Sequence, residues 1–347
     1  MRAVLLTGHG DIDRLELRSD LEVPRPLHGE VLVRVRAAAV NNTDINLRSG
    51  WYSKSVTAGK NGDASHGDAG WDGTAVKFAR IQGADGCGTI VAVGAGVDPA
   101  RIGLRVLIDP IVRNTTNGRQ SCEYIGTDRD GCFAEFVTVP ASNAVSLQSS
   151  MTDIELASFP CSGIAAENML TRACVQAGDR ILITGASGGV GSAAVQLAKR
   201  RGAQIIAIAA KEKTAALLAL GVTRVLARDA NLGTELGDNS LDAIIDCVGG
   251  SQFSAFLNAL RPGGRYAVAG AIAGPIVELD LRTLYLKDLS FFGCTVAAPE
   301  VFGALVRHIE AKEIRPIVAQ VFPLAELAAA QQHFLSKRHT GKVVIEI

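Results

Sequence analysis

The stretch ILITGASGGVGSAAVQLAK, residues 181–199, constrains the fold more than any other part of the chain. An apolar run reads as a buried strand, a glycine-rich turn reverses the chain, and small and apolar residues then recur at helical spacing. Such a turn aims backbone N–H groups and the positive end of a helix at one point, where a pyrophosphate fits. Ala186, Ser187, Gly188, Gly189, Val190 and Gly191 are the candidate contacts. Gly188 lets the backbone approach a ligand, and Gly191 lets the helix lie close against the strand. The usual G-x-G-x-x-G pattern has Ala186 at its first glycine, with Gly185 beside it. The motif alone is weak, but strand, turn and helix in this order predict a dinucleotide site.

The pattern around this stretch extends it into a domain. From residue 180 onward, short apolar runs (RILITG, AQIIAIA, RVLA, DAIIDCVG, RYAVAG, LSFFGC) alternate with helical segments over 189–201, 212–220 and 251–260. That alternation predicts a doubly wound parallel sheet covered on both faces, an α/β architecture. DCVGG and AVAGA end two of the strands on the side where such sheets bind ligands, which adds Val248, Gly249, Gly270 and Ala271 to the candidate cofactor contacts. Upstream, 30–40, 86–97 and 131–139 read as strands of a β-rich domain, and 53–76 as a long loop rich in Gly, Ser, Asp and Ala. Thr152 and Glu155 form a capping box ahead of the next helix. The tail returns to mixed helix and a last strand, GKVVIEI. The expected division is a β-rich domain from 1–148 and 297–347, interrupted by a nucleotide-binding domain at 149–296.

An NAD site places Asp or Glu about 20 residues beyond the glycines to hold the ribose hydroxyls. Here the second strand ends in Ala209-Ala210, followed by Lys211 and Lys213. A missing carboxylate and two cations suit a 2′-phosphate, so NADP is the expected cofactor, although two lysines also suit an ordinary solvated helix start. Lys+Arg and Asp+Glu are both 35, a balance that argues against nucleic acid or an anionic membrane as partner. No apolar run approaches the roughly 18 residues that span a bilayer. Seven cysteines without a CxxC fit reduced thiols, so the expected location is the cytoplasm.

Taken together, PRPLHGEVLVRV, VNNTDINLRSG, IQGADGCGTIVAVGAGV, TGASGGVGSAAVQLAK, LDAIIDCVGG, LRPGGRYAVAG and GKVVIEI resemble the medium-chain dehydrogenase/reductase superfamily along essentially the whole chain. The resemblance implies a GroES-like catalytic domain built from both chain ends, with an inserted Rossmann domain. The zinc alcohol dehydrogenase branch carries Cys, often with an adjacent His, where this chain has Asn41 and Asn42. It carries a ligating His at the place of Ala84, and its third protein ligand matches Cys161. One thiolate and the neighbouring Asp85 cannot readily build a three-ligand open zinc site, and the cysteines of the structural-zinc lobe are also missing. No metal is therefore expected.

What remains is similar to the quinone oxidoreductase branch, which keeps Asn at the Asn41 position and reduces activated double bonds with NADPH. The resemblance implies hydride transfer to a quinone or α,β-unsaturated carbonyl, with negative charge gathering on the conjugated oxygen. Asn41 is the candidate donor to that oxygen, or else to the nicotinamide ribose. Tyr52 matches a tyrosine of the branch and is a candidate hydrogen-bond or proton donor, a role that water could also fill. Asp44 is expected to anchor the loop, Asn42 to be structural, Cys161 to belong to the core, and His66 to be solvated. Asn46 stands where tyrosine is common in the branch. FFGCTV resembles the superfamily's last Rossmann strand, which in many members pairs across a two-fold, so the resemblance implies a homodimer. Two other readings stay open: an alcohol dehydrogenase with an atypical metal site at Asp85 and Cys161, and a non-catalytic NADPH-binding sensor.

Overall fold

The computed structural model describes residues 1–57, 67–71, 73–116 and 119–347, the side chains of 115–120 excepted. The middle of the expected loop 53–76, His66 included, lies outside the described residues. The chain forms two compact units, each with its own core. One contains Met1–Val56, the chain up to Cys161 and Phe302–Ile347; the other contains Ser162–Val301. Both junctions fall later than 148/149 and 296/297. Helix Asp153–Leu156 packs on strands Glu30–Ala39 and Asp85–Val93 of the first unit, and Arg105 Nε donates to Asp153 Oδ1 at 2.6 Å. At the other junction Glu310 accepts the N–H of Gln148.

The first unit is built on a seven-stranded sheet whose centre is strand Glu30–Ala39. It pairs antiparallel with Asp85–Val93 along one edge. Along the other it pairs with Phe136–Pro140 at its start and with Lys342–Glu346 at its end. Val31, Val33, Val35, Ile90, Val343 and Ile345 fill the core, β-branched residues that suit a pleated, half-buried surface. The expected strand 131–139 is confined to Phe136–Pro140 because Gly131, Cys132 and Phe133 turn their N–H groups to the carbonyls of Ile81, Gly83 and Gln82. An antiparallel pair, Ile111–Thr116 with Arg119–Tyr124, was not foreseen.

In the second unit six parallel strands lie in the order 224–226, 204–208, 180–184, 241–246, 260–268, 290–293. The order reverses direction on either side of Arg180–Thr184, the doubly wound arrangement. Leu182, Ile206, Ile244, Phe256 and Leu257 form its core. Thr152 and Glu155 make both bonds of the predicted capping box.

Candidate active site

In the first unit, register brings three polar residues together at one end of three adjacent central strands. Ala39 faces Asp85 on one side and Val344 on the other. Continuing that register, with Val40 N–H bonded to Val343 O, sets Lys342 beside Asn41. Lys342 Nζ donates to Asn41 Oδ1 at 2.5 Å and to Asp85 Oδ2 at 2.7 Å. Asn41 Nδ2 donates to the same Asp85 oxygen at 2.8 Å and to Ala39 O at 3.2 Å. Asp85 Oδ1 accepts the N–H of Cys161 at 2.6 Å. The ammonium bond fixes which end of the Asn41 amide is oxygen, since a flipped amide would set donor against donor. The Lys342 and Asp85 side chains are 4% and 0% exposed, so this is a buried ion pair, with both Asp85 oxygens bonded further by the Asn41 amide and the Cys161 N–H.

The surrounding groups form one cluster. Asp44 accepts from Asn41 N at 2.7 Å and Gly83 N at 3.1 Å, so it holds the start of helix Asn42–Arg48 against the loop before Asp85. Burial raises its carboxyl to about 7, opposed by those two bonds and by Lys342. Tyr124 Oη and Cys161 Sγ lie 3.0 Å apart, and burial pushes the Cys161 thiol up to about 12. Tyr52 shares a side-chain hydrogen bond with Asn46 and feels the charges of Cys161 and Asp44; burial pushes its phenol up. The structure gathers the candidate residues Asn41 and Tyr52 with Asp44, read as a loop anchor, Cys161, read as core, and Asp85. It also adds Lys342 and Tyr124, which sequence reasoning passed over. The one available signal for Lys342 was a single cation ahead of the apolar run Val343–Ile345. Both N–H groups of the Asn41 amide already have acceptors, so a substrate oxygen would have to displace one of them.

The donor set does not fit a catalytic zinc. Such a site needs three protein ligands around an open position, whereas here an ammonium bridges the Asn41 and Asp85 oxygens. Ala84 offers no donor, and Asp85 Oδ1 is already taken by the Cys161 N–H. Among the described residues no group of three or more His, Cys, Asp and Glu is placed to hold a metal.

The second unit carries the nucleotide cradle. Helix Gly189–Arg200 opens at Gly188 without a side-chain cap, leaving its first N–H groups to a ligand. A Cβ on Gly191 would stand 2.6 Å from Ala186 Cα and collide with Gly185 O, so only glycine lets helix and turn meet. Asp246, at the end of its strand, accepts from Thr184 Oγ1 (2.6 Å), Tyr266 Oη (2.5 Å), Val248 N (2.8 Å) and Gly249 N (3.0 Å). Those bonds shape the Val248–Gly249 loop, and a Cβ on Gly270 would come within 2.6 Å of Cys247 O. Ala186 and Ser187 lie in the turn after strand Arg180–Thr184, Val190 in the first turn of the helix, and Ala271 shortly after strand Leu260–Val268. Lys211 and Lys213 lie in a short 3-10 turn directly after strand Gln204–Ile208 and Ala209-Ala210, with Lys211 exposed. The geometry of this cradle suits a dinucleotide.

A catalytic unit assembled from both chain ends and a separate parallel nucleotide-binding sheet define a class of dehydrogenases and reductases. The chain belongs to the medium-chain dehydrogenase/reductase superfamily, oxidoreductases whose fold binds a nicotinamide cofactor. The model of the alcohol dehydrogenase GroES-like domain matches residues 27–149, and that of the zinc-binding dehydrogenase matches 189–311. A crystal structure of a candidate alcohol dehydrogenase from Sinorhizobium meliloti 1021 is 44% identical, covers 100% of this chain and 96% of its own, and has a TM-score of 0.89. The acryloyl-coenzyme A reductase of Metallosphaera sedula is 28% identical over 99% of each chain. The quinone oxidoreductase of Homo sapiens is 27% identical over 99% of this chain and 97% of its own.

Proposed function

We propose that this protein is a zinc-independent, NADPH-dependent reductase of quinones or α,β-unsaturated carbonyls. The observation that carries the reading is the Lys342 ammonium held between the Asn41 and Asp85 oxygens, a protein cation bonded at Asn41, the position where the zinc branch carries a ligand. Two of the relatives are named for quinone and acryloyl thioester reduction, both acceptors with a conjugated oxygen. The cofactor, when bound, supplies two electrons and one hydrogen to the acceptor carbon. This chain's residues then have to bind it, orient the acceptor and stabilise the oxygen that gains charge.

Ala186 to Gly191 would receive the pyrophosphate, Lys211 and Lys213 the 2′-phosphate, and Val248, Gly249, Gly270 and Ala271 the rest of the nucleotide. Asn41, Tyr52 and their neighbours would face the acceptor. A phenol is protonated at neutral pH and burial raises Tyr52 further, so it can donate a hydrogen bond. We also infer a homodimer through strand Ser290–Gly293, which has no neighbouring strand on its outer edge among the described residues. Ile276 and Leu286 near it are each 70% exposed, and an apolar hollow of about 240 Å³ opens beside Phe253, Tyr266 and Phe291. The seven cysteines, none of them in a disulfide, suit a reducing compartment such as the cytoplasm.

The test is a panel of quinones and enones assayed for NADPH oxidation with and without a chelator, alongside metal analysis of the purified protein. Chelator-insensitive turnover without stoichiometric metal is the expected result. Stoichiometric zinc together with alcohol oxidation would replace this reading with an alcohol dehydrogenase, the activity named for the Sinorhizobium relative. Tight NADPH binding with no turnover of any acceptor would leave only a binding protein.

A further inference from the structure

Of the three N–H groups on Lys342, two are taken, by Asn41 Oδ1 and Asp85 Oδ2. Among the described residues the third has no partner. The side chain is 4% exposed, too deeply placed for bulk water to satisfy that donor freely. An ammonium donor left unmade inside a protein is costly, and such groups are normally completed by an ordered water or a ligand oxygen. Neither partner that holds Lys342 is free to turn away. Asp85 is tied by the Cys161 N–H, and the N–H groups of the Asn41 amide are bonded to Asp85 and Ala39. The cation is therefore preorganised: no reorientation is needed when charge develops next to it.

We propose that Lys342 is the catalytic oxyanion donor of this site, with its third N–H directed to the conjugated oxygen of the acceptor and Asn41 acting as the positioning residue that holds it. The proposal rests on the reductase reading and assigns to Lys342 the role otherwise expected of the Asn41 amide. In an enone, a hydrogen with its electron pair adds to the β-carbon as the reduced nicotinamide becomes oxidised. The carbon–carbon π pair shifts toward the carbonyl, and the oxygen takes the negative charge as an enolate. Lys342 bonds that oxygen without losing its own proton. A proton from solvent then reaches the α-carbon and completes the saturated product. In a quinone the same bond meets the phenolate oxygen.

The test uses full-length protein and compares binding of 4-nitrophenolate, a stable aryl oxyanion, with that of 4-nitroanisole, its uncharged ether, at one alkaline pH. Wild type is expected to bind the phenolate at least about tenfold more tightly. Lys342→Met alone strands a buried carboxylate and risks misfolding, so the variant is Asp85→Asn/Lys342→Met, which removes both charges together. In it the preference for the phenolate should vanish, and kcat with an enone should fall roughly 10²–10³-fold while KM for NADPH stays within about threefold. Lys342→Arg should keep most of the phenolate preference. Equal binding of the two probes by wild type would overturn the proposal without any variant. So would a double variant that keeps both its phenolate preference and a kcat within about threefold of wild type. If wild type prefers the phenolate in a Lys342-dependent way yet reduces no acceptor, the oxyanion site stands and only the reductase reading falls.

Discussion

The Lys342–Asp85 pair makes a stability prediction that can be worked in some detail. Each side chain is almost fully buried, and among the described residues each is the other's only counter-charge within hydrogen-bond reach. Replacing Lys342 by Met keeps the volume but leaves Asp85 as a buried carboxylate without a counter-ion, which costs about 3–5 kcal/mol. It also strips Asn41 Oδ1 of its donor, adding about 1 kcal/mol. Asp85→Asn leaves an ammonium among amide oxygens and should cost about 3 kcal/mol by the same reasoning. In the double variant no charge remains, and the Asn41 amide is free to turn so that its oxygen accepts from the new amide. The expected cost is then within about 1 kcal/mol of wild type. Both tryptophans of the chain, Trp51 and Trp71, belong to the first unit, so urea unfolding followed by tryptophan fluorescence reads that unit apart from the nucleotide-binding one. A total stability of about 5–15 kcal/mol makes losses of this size easy to resolve. The signature is a double variant far more stable than either single one. If the single costs instead add to the double cost within about 0.5 kcal/mol, the two side chains do not interact as the geometry requires.

Three further outcomes follow from other parts of the molecule. Burial raises the Asp44 carboxyl from an ordinary 3.8 to about 7, so the folded state binds more protons than the unfolded one between those values. Its contribution is therefore fully present below about pH 4 and is lost as pH rises toward 7, a few kcal/mol at most. Asp44→Asn should flatten the fluorescence-monitored stability curve across that window, and superimposable slopes would refute the assignment. Gly191→Ala should displace the helix from the turn and weaken NADPH binding at least about tenfold, as read by cofactor fluorescence, because its Cβ would meet Ala186 Cα at 2.6 Å. Lys211→Ala/Lys213→Ala should raise KM for NADPH at least about tenfold while leaving KM for NADH nearly unchanged; equal effects would remove the 2′-phosphate argument.

The second unit was legible because its information is local. A strand, a glycine turn and a helix carry their signal within 181–199, and the helix begins at Gly189 as the spacing required. The close approach that demands Gly191 could also be anticipated, since it involves residues only a few positions away. The first unit was legible in outline, through strand periodicity and through the missing ligands at Asn41, Asn42 and Ala84. Its centre was not. Lys342 meets Asn41 and Asp85 only because strands from the two ends of the chain flank a common third strand. Nothing in GKVVIEI shows which residue the lysine will face. Tyr124 was missed for the same reason: it reaches Cys161 from an antiparallel strand pair that no period announced.

That distinction bears on how the chemistry of such a site can change. A buried carboxylate such as Asp85 carries a desolvation cost that must be offset somewhere. Here the offset comes from a strand on the opposite edge of Glu30–Ala39, with a lysine at the register position that faces the gap. Asn41 contributes an oxygen to the ammonium and a nitrogen to the carboxylate, a pairing of acceptor and donor that neither cysteine nor aspartate could provide in its place. The asparagine and the lysine therefore make sense only together. A substitution of Asn41 by Asp would place two carboxylates around one ammonium and raise the proton affinity of the pair. A substitution by Ala would leave the ammonium with one acceptor and Asp85 with one fewer donor. Both changes act on the placement of the cation before they act on any substrate.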